Sequence, residues 1–506
     1  MITLRRLREE DAKMIFEWRN SDFIKNLGSQ QREVSWEEHK KWVEEAVQHT
    51  DNLIVFVIEV ENKAIGQLTF KKAYENTYVI SIYLLKEYIG QGLGTKAINS
   101  GIEILSEKYE NISVAAFVIK TNLHSQRAFE KANFIRILEA KSLRINIPND
   151  HYLYMHSNKK KIPHNRLTFG QEEIDAISRV VATGYWAGGK KVQEVEKKLC
   201  ELTQRKYSIL VSSGLSALRL SLLALDIKKN DEVLMPAYCC VALVNAVLSV
   251  GATPIPVDIS PIDFNITDEN INQHISDKTK AIIGVNTFGN PISLKIRKNI
   301  AIIEDCAHGL LKANMGNKGQ ISISSFYATK FVGSGEGGVV MTDDSEIAEF
   351  VRDWRDYTDK KPSAKRLNDK MSDLEAAILA TQLHRIEDFI IKREEVARRY
   401  YEMLKELEQK YTFFSLPKFH HDKVWYRFPI RVRIKQKEFV EKVSSKNVGI
   451  AKPIENWLEN EIEKFPNAKA AYEEVISLPI YPTLRLEEQE LVIKVIMESL
   501  NHIHNE

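Results

Sequence analysis

The chain has little of what marks secreted, membrane-spanning or nucleic-acid-binding proteins. It contains only four cysteines in 506 residues, namely Cys200, Cys239, Cys240 and Cys306. Two are adjacent, which makes a poor disulfide pair, and the four lack metal-ligand spacing. We therefore expect free thiols in a reducing cytoplasm, and no metal site. No apolar run approaches the ~20 residues that cross a bilayer, and the charged amino-terminal segment differs from a signal peptide.

An excess of charge of one sign is also absent. The formal net charge is +2 with 28% charged residues. This balance gives no argument for nucleic-acid binding or for an acidic tail. The hydrophobic fraction of 44% is normal for a globular protein with substantial cores. A chain of this length is expected to form two or three domains.

What the chain does have is a lysine between an apolar strand pattern and a glycine-rich loop. Lys330 is predicted to end the apolar, hydroxyl-bearing strand that starts at 321, and it precedes glycines at 333, 335, 337 and 338. A lysine amine forms a Schiff base only when its surroundings lower its pKa or stabilise the imine. Nearby Ser325 and Thr329 are suited to hold a phosphate, and glycines let the backbone approach a flat ligand. A buried strand with a snorkelling lysine is the open alternative.

An upstream carboxylate bears on that choice. Asp305 ends the apolar segment 301–305, about 25 residues before Lys330. Enzymes that use pyridoxal phosphate (PLP) need an acid that keeps the pyridinium nitrogen protonated. An aspartate at a strand end can also be a helix N-cap. The two segments together favour a PLP site, with Lys330 and Asp305 as its catalytic residues.

Over its larger part, the chain resembles the DegT/DnrJ/StrS family of PLP-dependent sugar-nucleotide aminotransferases. The resemblance covers residues from about 163 to 506 and rests on the order and spacing of short motifs, at 184–188, 212–218, 235–238, 251–258, 303–308, 325–330, 335–338, 371–377 and 478–483. It implies an α/β protein of PLP fold type I. We expect a large, doubly wound domain at 164–390 and a small α+β domain at 391–506.

The same resemblance implies the cofactor contacts. The phosphate is expected at Ser213, Gly214, Leu215, Ser216 and Ser325, and the ring at Tyr238, Cys240, Asp305, His308 and Lys330. Asn368 is expected to reach the phosphate bound by a neighbouring subunit, which implies a homodimer with shared active sites. Leu215 removes one hydroxyl that relatives have, and Cys240 lies near the place where most relatives stack an aromatic side chain.

Residues 1–156 form a separate unit with its own glycine loop. Strand patterns at 53–60 and 63–70 are joined through Glu61 and Asn62, as in a hairpin. A further strand, at 77–85, leads into Gly90, Gly92 and Gly94 and then into a helix pattern. Free backbone N–H groups at a helix start bind anions. A tight turn is the alternative for a lone glycine triplet.

The succession of these elements resembles the GNAT N-acetyltransferase superfamily, especially members that acetylate amino sugars on nucleotides. By analogy, the pyrophosphate of acetyl-CoA is held by Gly90, Gln91, Gly92, Leu93 and Gly94, with Asn122 and Ser125 beside the cofactor. Three positions depart from the superfamily pattern: Ile89, Phe129 (where many members have a tyrosine acid) and Asn133. The general acid is therefore unassigned. Glu75, His39 and His124 are possible bases, but residues of these types in such patterns are more often ordinary surface or packing residues.

Further local patterns predict a linker at 157–163, one long helix at 374–407 and a strand at 448–454.

The fusion suggests two consecutive reactions. Glutamate would aminate a nucleotide-linked keto-deoxy sugar, of the 4-keto-6-deoxy type, and acetyl-CoA would then acetylate the amine. Two alternatives are an acetyltransferase that acts on an unrelated amine and a non-catalytic PLP-family regulator. Dehydration on the same scaffold is disfavoured, because those relatives replace the lysine with histidine.

Overall fold

A computed structural model describes the chain except for residues 1, 26–31, 49–50, 75–76, 110–111, 138–149, 157–161, 296–298, 359 and 506. The linker predicted at 157–163 lies mostly outside the described residues. The chain divides into two compact units. The first comprises Met1–Lys160 and Arg485–Leu491, and the second comprises Lys161–Leu484 and Val492–Glu506. Within the described ranges, no helix is long and apolar enough to cross a membrane.

The first unit is a mixed sheet with helices. Its elements are β1 (Ile2–Arg6), α1 (Ala12–Arg19), α2 (Asp22–Lys25), α3 (Trp36–Val47), β2 (Leu53–Val60), β3 (Lys63–Tyr74), β4 (Thr77–Leu84), α4 (Leu93–Lys108), β5 (Ser113–Ile119), α5 (Leu123–Lys131), β6 (Phe134–Ile137) and β7 (His151–His156). The strand order is β1-β2-β3-β4-β5-β7-β6.

The hairpin predicted through residues 61 and 62 is confirmed. Strands β2 and β3 pair antiparallel, and Glu61 and Asn62 have φ values of 51° and 62°. Two successive positive φ angles match the right-handed twist of the strands. Strand β2 is buried on both faces: Phe56 packs with the core beneath α4, and Val57 packs with the core beneath α1 and α3. Burial on both faces explains its continuous apolar sequence.

Strands β4 and β5 separate along their length. They pair in parallel only where 77–79 meets 113–115, although both strands continue several residues further. Along its other edge, β5 pairs with β7 over residues 114–119. A wedge-shaped opening therefore lies in the middle of the sheet, at the end where β4 leads to the glycine loop and α4.

The second unit contains a seven-stranded sheet and a three-stranded sheet. Its elements are α6 (Gln171–Thr183), α7 (Lys190–Thr203), β8 (Tyr207–Val211), α8 (Gly214–Ala224), β9 (Glu232–Pro236), α9 (Val241–Ser249), β10 (Thr253–Val257), α10 (Asp268–Asn272), β11 (Thr279–Val285), β12 (Ala301–Asp305), β13 (Ile321–Ser325), β14 (Gly338–Thr342), α11 (Ser345–Trp354), α12 (Asp373–His384), α13 (Ile386–Lys410), β15 (Phe414–Ser415), β16 (Phe428–Val432), α14 (Gln436–Ser445), α15 (Pro466–Glu474) and β17 (Val475–Leu478). The last helix, α16 (Leu486–Asn505), contains residues of both units.

The large sheet is parallel except at one strand. Its order is β10-β9-β11-β12-β13-β14-β8, and only β14 pairs antiparallel with its neighbours. Helices cover both faces; for example, Ile209 of β8 faces the core that contains α8, whereas Leu210 faces the core that contains α7 and α12. This is the predicted doubly wound fold. In such sheets, ligands bind beyond the carboxyl ends of the parallel strands.

Several element boundaries differ from those predicted. The segment 374–407 is two helices, α12 and α13, which are interrupted at Arg385 (φ −102°, ψ 8°). Residues 448–454 form only isolated bridges, at Val448 and Ala451, and no strand. Strand β13 ends at Ser325, so Lys330 lies in the following loop and not at the strand end.

Candidate active sites

Asp305 is a buried carboxylate at the carboxyl end of β12. It is 4% exposed, and its Oδ1 accepts a hydrogen bond of 2.8 Å from the Ala307 amide. Burial raises the pKa of this carboxyl, and the Ala307 amide and the charge of Lys330 offset that rise only in part. A buried carboxylate with incomplete compensation is suited to accept a cationic partner such as a protonated ring nitrogen.

The neighbouring Glu304 has a different role. Its side chain points to the opposite face of the strand, where the Asn286 amide, the Ser322 hydroxyl and two backbone amides donate to it. This carboxylate is saturated by donors from its own fold. Of the two strand-end carboxylates, only Asp305 is left for a ligand.

Lys330 lies in the loop after β13. Its amide donates to Tyr327 O at 2.8 Å, which closes a tight turn, and its Nζ lies 5.6 Å from the ring centroid of Tyr426. The glycines that follow are required by the loop's own packing, because a side chain at Gly337 would collide with Met371 and one at Gly338 would collide with Ser213. They let the loop approach the start of α8.

His308 is held as a neutral imidazole. Its Nδ1 accepts a hydrogen bond of 3.3 Å from the Phe288 amide. Burial lowers its pKa well below the usual value, and the charges of Lys330 and Arg427 lower it further. Because Nδ1 is an acceptor, the ring proton lies on Nε2, which is then a donor. Such a donor suits the phenolic oxygen of PLP, as the resemblance implied.

Tyr426 completes this group, and the sequence motifs did not indicate it. Its ring stacks on His308 at 4.6 Å, with planes 17° apart. Burial raises the pKa of the phenol, but the positive charges of Lys330, Arg427 and Arg393 more than reverse this, so the pKa is lowered. Tyr426 precedes β16 and is far from the motifs in sequence, and only the tertiary fold brings it to Lys330.

The start of α8 and the end of β13 form a close-fitting surface. A Cβ at Gly214 would lie 2.8 Å from the Cβ of Ser325. Ser213 caps the helix through its hydroxyl, which accepts from the Ser216 amide at 3.1 Å. The first backbone N–H groups of a helix and adjacent hydroxyls form a site for a phosphate. The predicted residues Ser213, Gly214, Ser216 and Ser325 are therefore brought together.

The segment before α12 is fixed to this helix. Asp369 accepts a hydrogen bond of 2.7 Å from the Ser216 hydroxyl and forms an ion pair with Arg219. The Ser212 amide also donates to Asp369 O, at 2.8 Å. The neighbouring Asn368 is exposed. Whether Asn368 serves a partner's site stays a prediction.

Three other residues predicted to contact the cofactor differ in their exposure. Tyr238 is 1% exposed and packs edge-on against Tyr472 and Phe288, inside an aromatic core. Cys240 is exposed at the residue that precedes α9, and Leu215 is 42% exposed at the start of α8. Cys240 and Leu215 lie next to elements of the site, whereas the recorded ring contacts of Tyr238 are with the core.

In the first unit, the glycine loop has the geometry of an anion site. Gly90 and Gly92 have φ values of 83° and 73°, and a side chain at either would meet no neighbour. Gly92 is the N-cap of α4, and no side chain caps that helix start. Its first N–H groups are therefore available to the pyrophosphate of acetyl-CoA. The side-chain Nε2 of Gln91 donates to Glu87 O at 2.8 Å and holds the loop.

The other predicted residues of this unit lie nearby in the fold or pack locally. Asn122 caps α5 by accepting from the Ser125 amide at 3.0 Å. His39 is fully buried, its Nε2 is bonded to Ala12 O at 2.8 Å, and burial lowers its pKa. His124 is exposed on α5. Glu75 lies outside the described residues.

The departures noted in the sequence have structural counterparts. Phe129 is 5% exposed and packs edge-on against Phe134 at 4.9 Å. Asn133 has a φ of 64°, a conformation that asparagine tolerates better than most residues. A polar side-chain series on the sheet was missed: the Tyr83 hydroxyl donates to Gln67 at 2.9 Å, and Gln67 donates to Thr69 at 2.8 Å. Gln67 and Thr69 lie on β3 and Tyr83 lies on β4, so no linear motif marks the whole series.

In the second unit, a loop lysine, a buried strand-end carboxylate, a neutral histidine and a helix-start phosphate cup meet at the carboxyl edge of a parallel sheet. These residues fit PLP, and the class they define is that of PLP-dependent transferases. Residues 168–497 match the DegT/DnrJ/EryC1/StrS aminotransferase family model, and residues 1–135 match the acetyltransferase (GNAT) domain model. The chain belongs to the DegT/DnrJ/EryC1/StrS aminotransferase family and carries a GNAT domain. The predicted fusion, with PLP and acetyl-CoA as its cofactor and cosubstrate, is confirmed.

Individual relatives agree with this assignment. The 3-oxo-glucose-6-phosphate:glutamate aminotransferase of Bacillus subtilis is 28% identical over 436 residues, which cover 79% of this chain and 98% of that protein. The structure of NtdA from Bacillus subtilis with bound cofactor PMP superposes with a TM-score of 0.63 at 26% identity, covering 80% of this chain and 98% of the other. An aminotransferase from Psychrobacter cryohalolentis gives a TM-score of 0.62 at 25% identity, covering 68% and 100%.

Proposed function

We propose that the chain makes an acetamido sugar in two steps. The second unit would transfer an amino group from glutamate to a nucleotide-linked keto-deoxy sugar of the 4-keto-6-deoxy type. The first unit would then acetylate the new amine with acetyl-CoA. The observation that carries the proposal is the convergence of Lys330, Asp305, His308 and Tyr426 in a chain that also contains an uncapped glycine-loop helix start.

PLP supplies an electron sink for the carbon that exchanges its amino group. The residues around it would divide the remaining work. Lys330 would hold the cofactor covalently and, once released, move the proton between the two carbon positions at its Nζ. Asp305 would keep the ring nitrogen protonated, and His308 would donate from Nε2. Tyr426 would cover this group from the side opposite Phe288, which stacks on the other face of His308 at 6.1 Å.

Acetyl transfer would rest mainly on positioning. The N–H groups after Gly92 would hold the pyrophosphate, and the opening between β4 and β5 would receive the pantetheine arm. Phe129 is buried and carries no acid, so the thiolate would leave without help from that position. Holding a neutral amine against a thioester can itself provide a large part of the acceleration.

One incubation tests both steps. It would contain the protein, PLP, glutamate, acetyl-CoA and a panel of oxo sugars, with products identified by mass spectrometry. We expect a product that carries both the amine and the acetyl group, and its loss in Lys330→Ala. An amine without an acetyl group would refute the second step and retain the first. No amine from any sugar would refute the proposal.

A second candidate substrate is a 3-oxo sugar 6-phosphate. It is favoured by the Bacillus subtilis relative, whose name describes that substrate. The alignment with this chain covers 98% of that relative. The same panel separates the two candidates when it contains 3-oxo-glucose 6-phosphate beside the nucleotide 4-keto-6-deoxy sugars. The substrate with the higher kcat/KM identifies the class.

The domain limits and the assembly belong to the same proposal. We take 1–156 as the acetyltransferase, 157–163 as linker, 164–390 as the PLP domain and 391–506 as the small domain. We also infer a homodimer in which Asn368 reaches the partner's phosphate site, a role that its exposure permits. Light scattering and mixing of Asn368→Ala with Lys330→Ala subunits would test it, since shared sites predict partial recovery of activity in mixed dimers.

A further inference from the structure

Among the described residues of the second unit, Arg427 lacks the carboxylate partner that most arginines have. Arg205, Arg219, Arg355 and Arg385 each contact a carboxylate, on Asp343, Asp369, Glu196 and Glu173 respectively. Arg427 contacts no carboxylate within 4.0 Å in the described part of the chain. Since a partly buried charge is normally paired, its positive charge is left for another partner.

The groups that do contact Arg427 are neutral. Its Nη1 lies 3.2 and 3.3 Å from the two ring nitrogens of His164, and its Nη2 donates to the Tyr426 hydroxyl at 3.2 Å. Burial, together with the charge of Arg427, lowers the pKa of His164 to about 3, so this ring carries no charge at neutral pH. These contacts fix the direction of the guanidinium without neutralising it.

Arg427 and Lys330 both lie near the ring of Tyr426. The Cζ of Arg427 lies 4.6 Å from the Tyr426 ring centroid, and Lys330 Nζ lies 5.6 Å from the same centroid. Arg427 and Lys330 both lower the pKa of His308. Arg393, another buried cation nearby, directs its Nη1 at the Trp425, Tyr426 and Ile480 carbonyls. Lys330 and Arg427 together therefore produce a positive potential around the Tyr426 ring, where neutral partners hold the guanidinium of Arg427.

We propose that Arg427 is the anion-recognition residue of the aminotransferase site. Its guanidinium, held by His164 and Tyr426, would bind a carboxylate or phosphate of the substrate while the reacting amine or carbonyl lies at Lys330. A planar fork of donors suits both groups. The inference rests on the proposed aminotransfer. The anion has two possible sources: a carboxylate of the amino donor, or a phosphate on the sugar.

Equilibrium binding of non-reacting anions tests this directly. Glutarate and inorganic phosphate would be titrated separately into the PLP-loaded enzyme, with visible absorbance and calorimetry as readouts. We expect Arg427→Gln to weaken one of the two anions by about 10- to 100-fold, the usual cost of losing a charge-assisted contact. Arg427→Lys should recover part of the loss, because it restores the charge but not the fork.

The matched control is Arg433→Gln. Arg427 directly precedes strand β16, and Arg433 directly follows it. Arg433 pairs with Glu474 at 3.7 Å and donates to Ser415 at 3.0 Å, on the surface. The Arg433→Gln variant should therefore bind both anions with unchanged affinity. Retained PLP absorbance and far-UV circular dichroism would establish that the Arg427 variants are folded.

The pattern of losses names the source. Weaker glutarate binding together with a slower glutamate half-reaction assigns Arg427 to the amino donor. Weaker phosphate binding together with a slower sugar half-reaction assigns it to a sugar phosphate. Unchanged affinity of Arg427→Gln for both anions overturns the inference. These titrations need no turnover, so an enzyme that failed to transaminate would refute the proposed function while Arg427 was still judged by binding.

Discussion

The two ligand sites of this chain differ in the chemical groups that form them. In the first unit, the glycine loop offers backbone N–H groups, two glycines with positive φ and no capping side chain. In the second unit, the site consists of side chains that meet across the fold: Lys330, Asp305, His308 and Tyr426. A backbone site depends on chain conformation, whereas a side-chain site depends on individual functional groups.

This difference teaches which kind of change each site tolerates. A backbone site has no single side chain whose removal abolishes binding, but it is sensitive to any residue that cannot adopt a positive φ. A side-chain site loses its chemistry when one functional group is removed, even if the backbone around it is unchanged. The variants below are arranged from the largest expected effect to the smallest.

Lys330→Ala should break the side-chain site outright. Without the amine there is neither a covalent anchor nor a proton carrier, so aminotransfer should fall by more than about 10³-fold. Acetylation of a supplied amino sugar should stay within about twofold of the wild-type rate. Product analysis of the two separate reactions measures both. A parallel loss of acetylation would contradict the separation of the sites.

Gly214→Ala should damage the phosphate cup sterically. The added methyl group would lie 2.8 Å from the Ser325 Cβ, and its clash would push the helix start away from β13. We expect the PLP dissociation constant to rise about 10-fold, measured by absorbance titration of the apoenzyme. Ser325→Gly removes both the clashing Cβ and a predicted phosphate contact, so it serves as a second background: there, adding Gly214→Ala should cost much less affinity than in the wild type. An equal loss in both backgrounds would mean that the close approach is not the cause.

Gly92→Ala tests the backbone-built site of the first unit. The residue has a φ of 73°, and a left-handed conformation costs an alanine about 1 kcal/mol relative to glycine. Acetyl-CoA affinity should fall several-fold by calorimetry, with aminotransfer unchanged. Ile104→Ala, on the exposed face of the same helix, is the control that should alter neither. Equal affinity of Gly92→Ala and wild type would argue against a backbone-built site.

The prediction for His164 concerns the stability of the fold, and its effect depends on pH. The pKa of His164 is lowered to about 3, whereas an unfolded histidine titrates near 6.5, so between these values the unfolded chain holds a proton that the folded chain lacks. This contribution to stability is therefore present above pH 6.5 and is lost as the pH falls towards 3, by at most about 1.4 kcal/mol per pH unit.

The variant His164→Asn should flatten that dependence. Urea unfolding at pH 7 and pH 5 would show a smaller loss of the free energy of unfolding than in the wild type. His124→Asn, at an exposed position, should keep the wild-type slope. An unchanged slope in His164→Asn would show that this ring does not titrate on unfolding.

Sequence reasoning located the groups that local chain order determines. Asp305 ends an apolar strand, Lys330 precedes a glycine loop, and Ser213 caps a helix, and each of these can be recognised within a few residues. The fusion of two enzyme domains was identified from the order and spacing of motifs along the chain. The hairpin at Glu61 and Asn62 is equally local, because two residues between alternating strands leave few turn types.

The parts that sequence reasoning missed depend on tertiary contacts. Tyr426, Arg427 and His164 adjoin Lys330 only because separate segments meet at one edge of the sheet. The interruption at Arg385 is invisible in a helix pattern that continues on both sides of it. The Tyr83–Gln67–Thr69 series requires knowledge of which strands pair.

The bond between Arg427 and His164 joins residues 263 positions apart in the chain. Chains grow from the amino terminus at about 5–20 residues per second, so His164 is synthesised about 13 to 53 seconds before Arg427. The glycine loop of the first unit, by contrast, needs only a strand and the helix directly after it. During synthesis, the anion site for acetyl-CoA can therefore form early, whereas the surroundings of Lys330 are completed only after Arg427 has been made, near the end of the 506-residue chain.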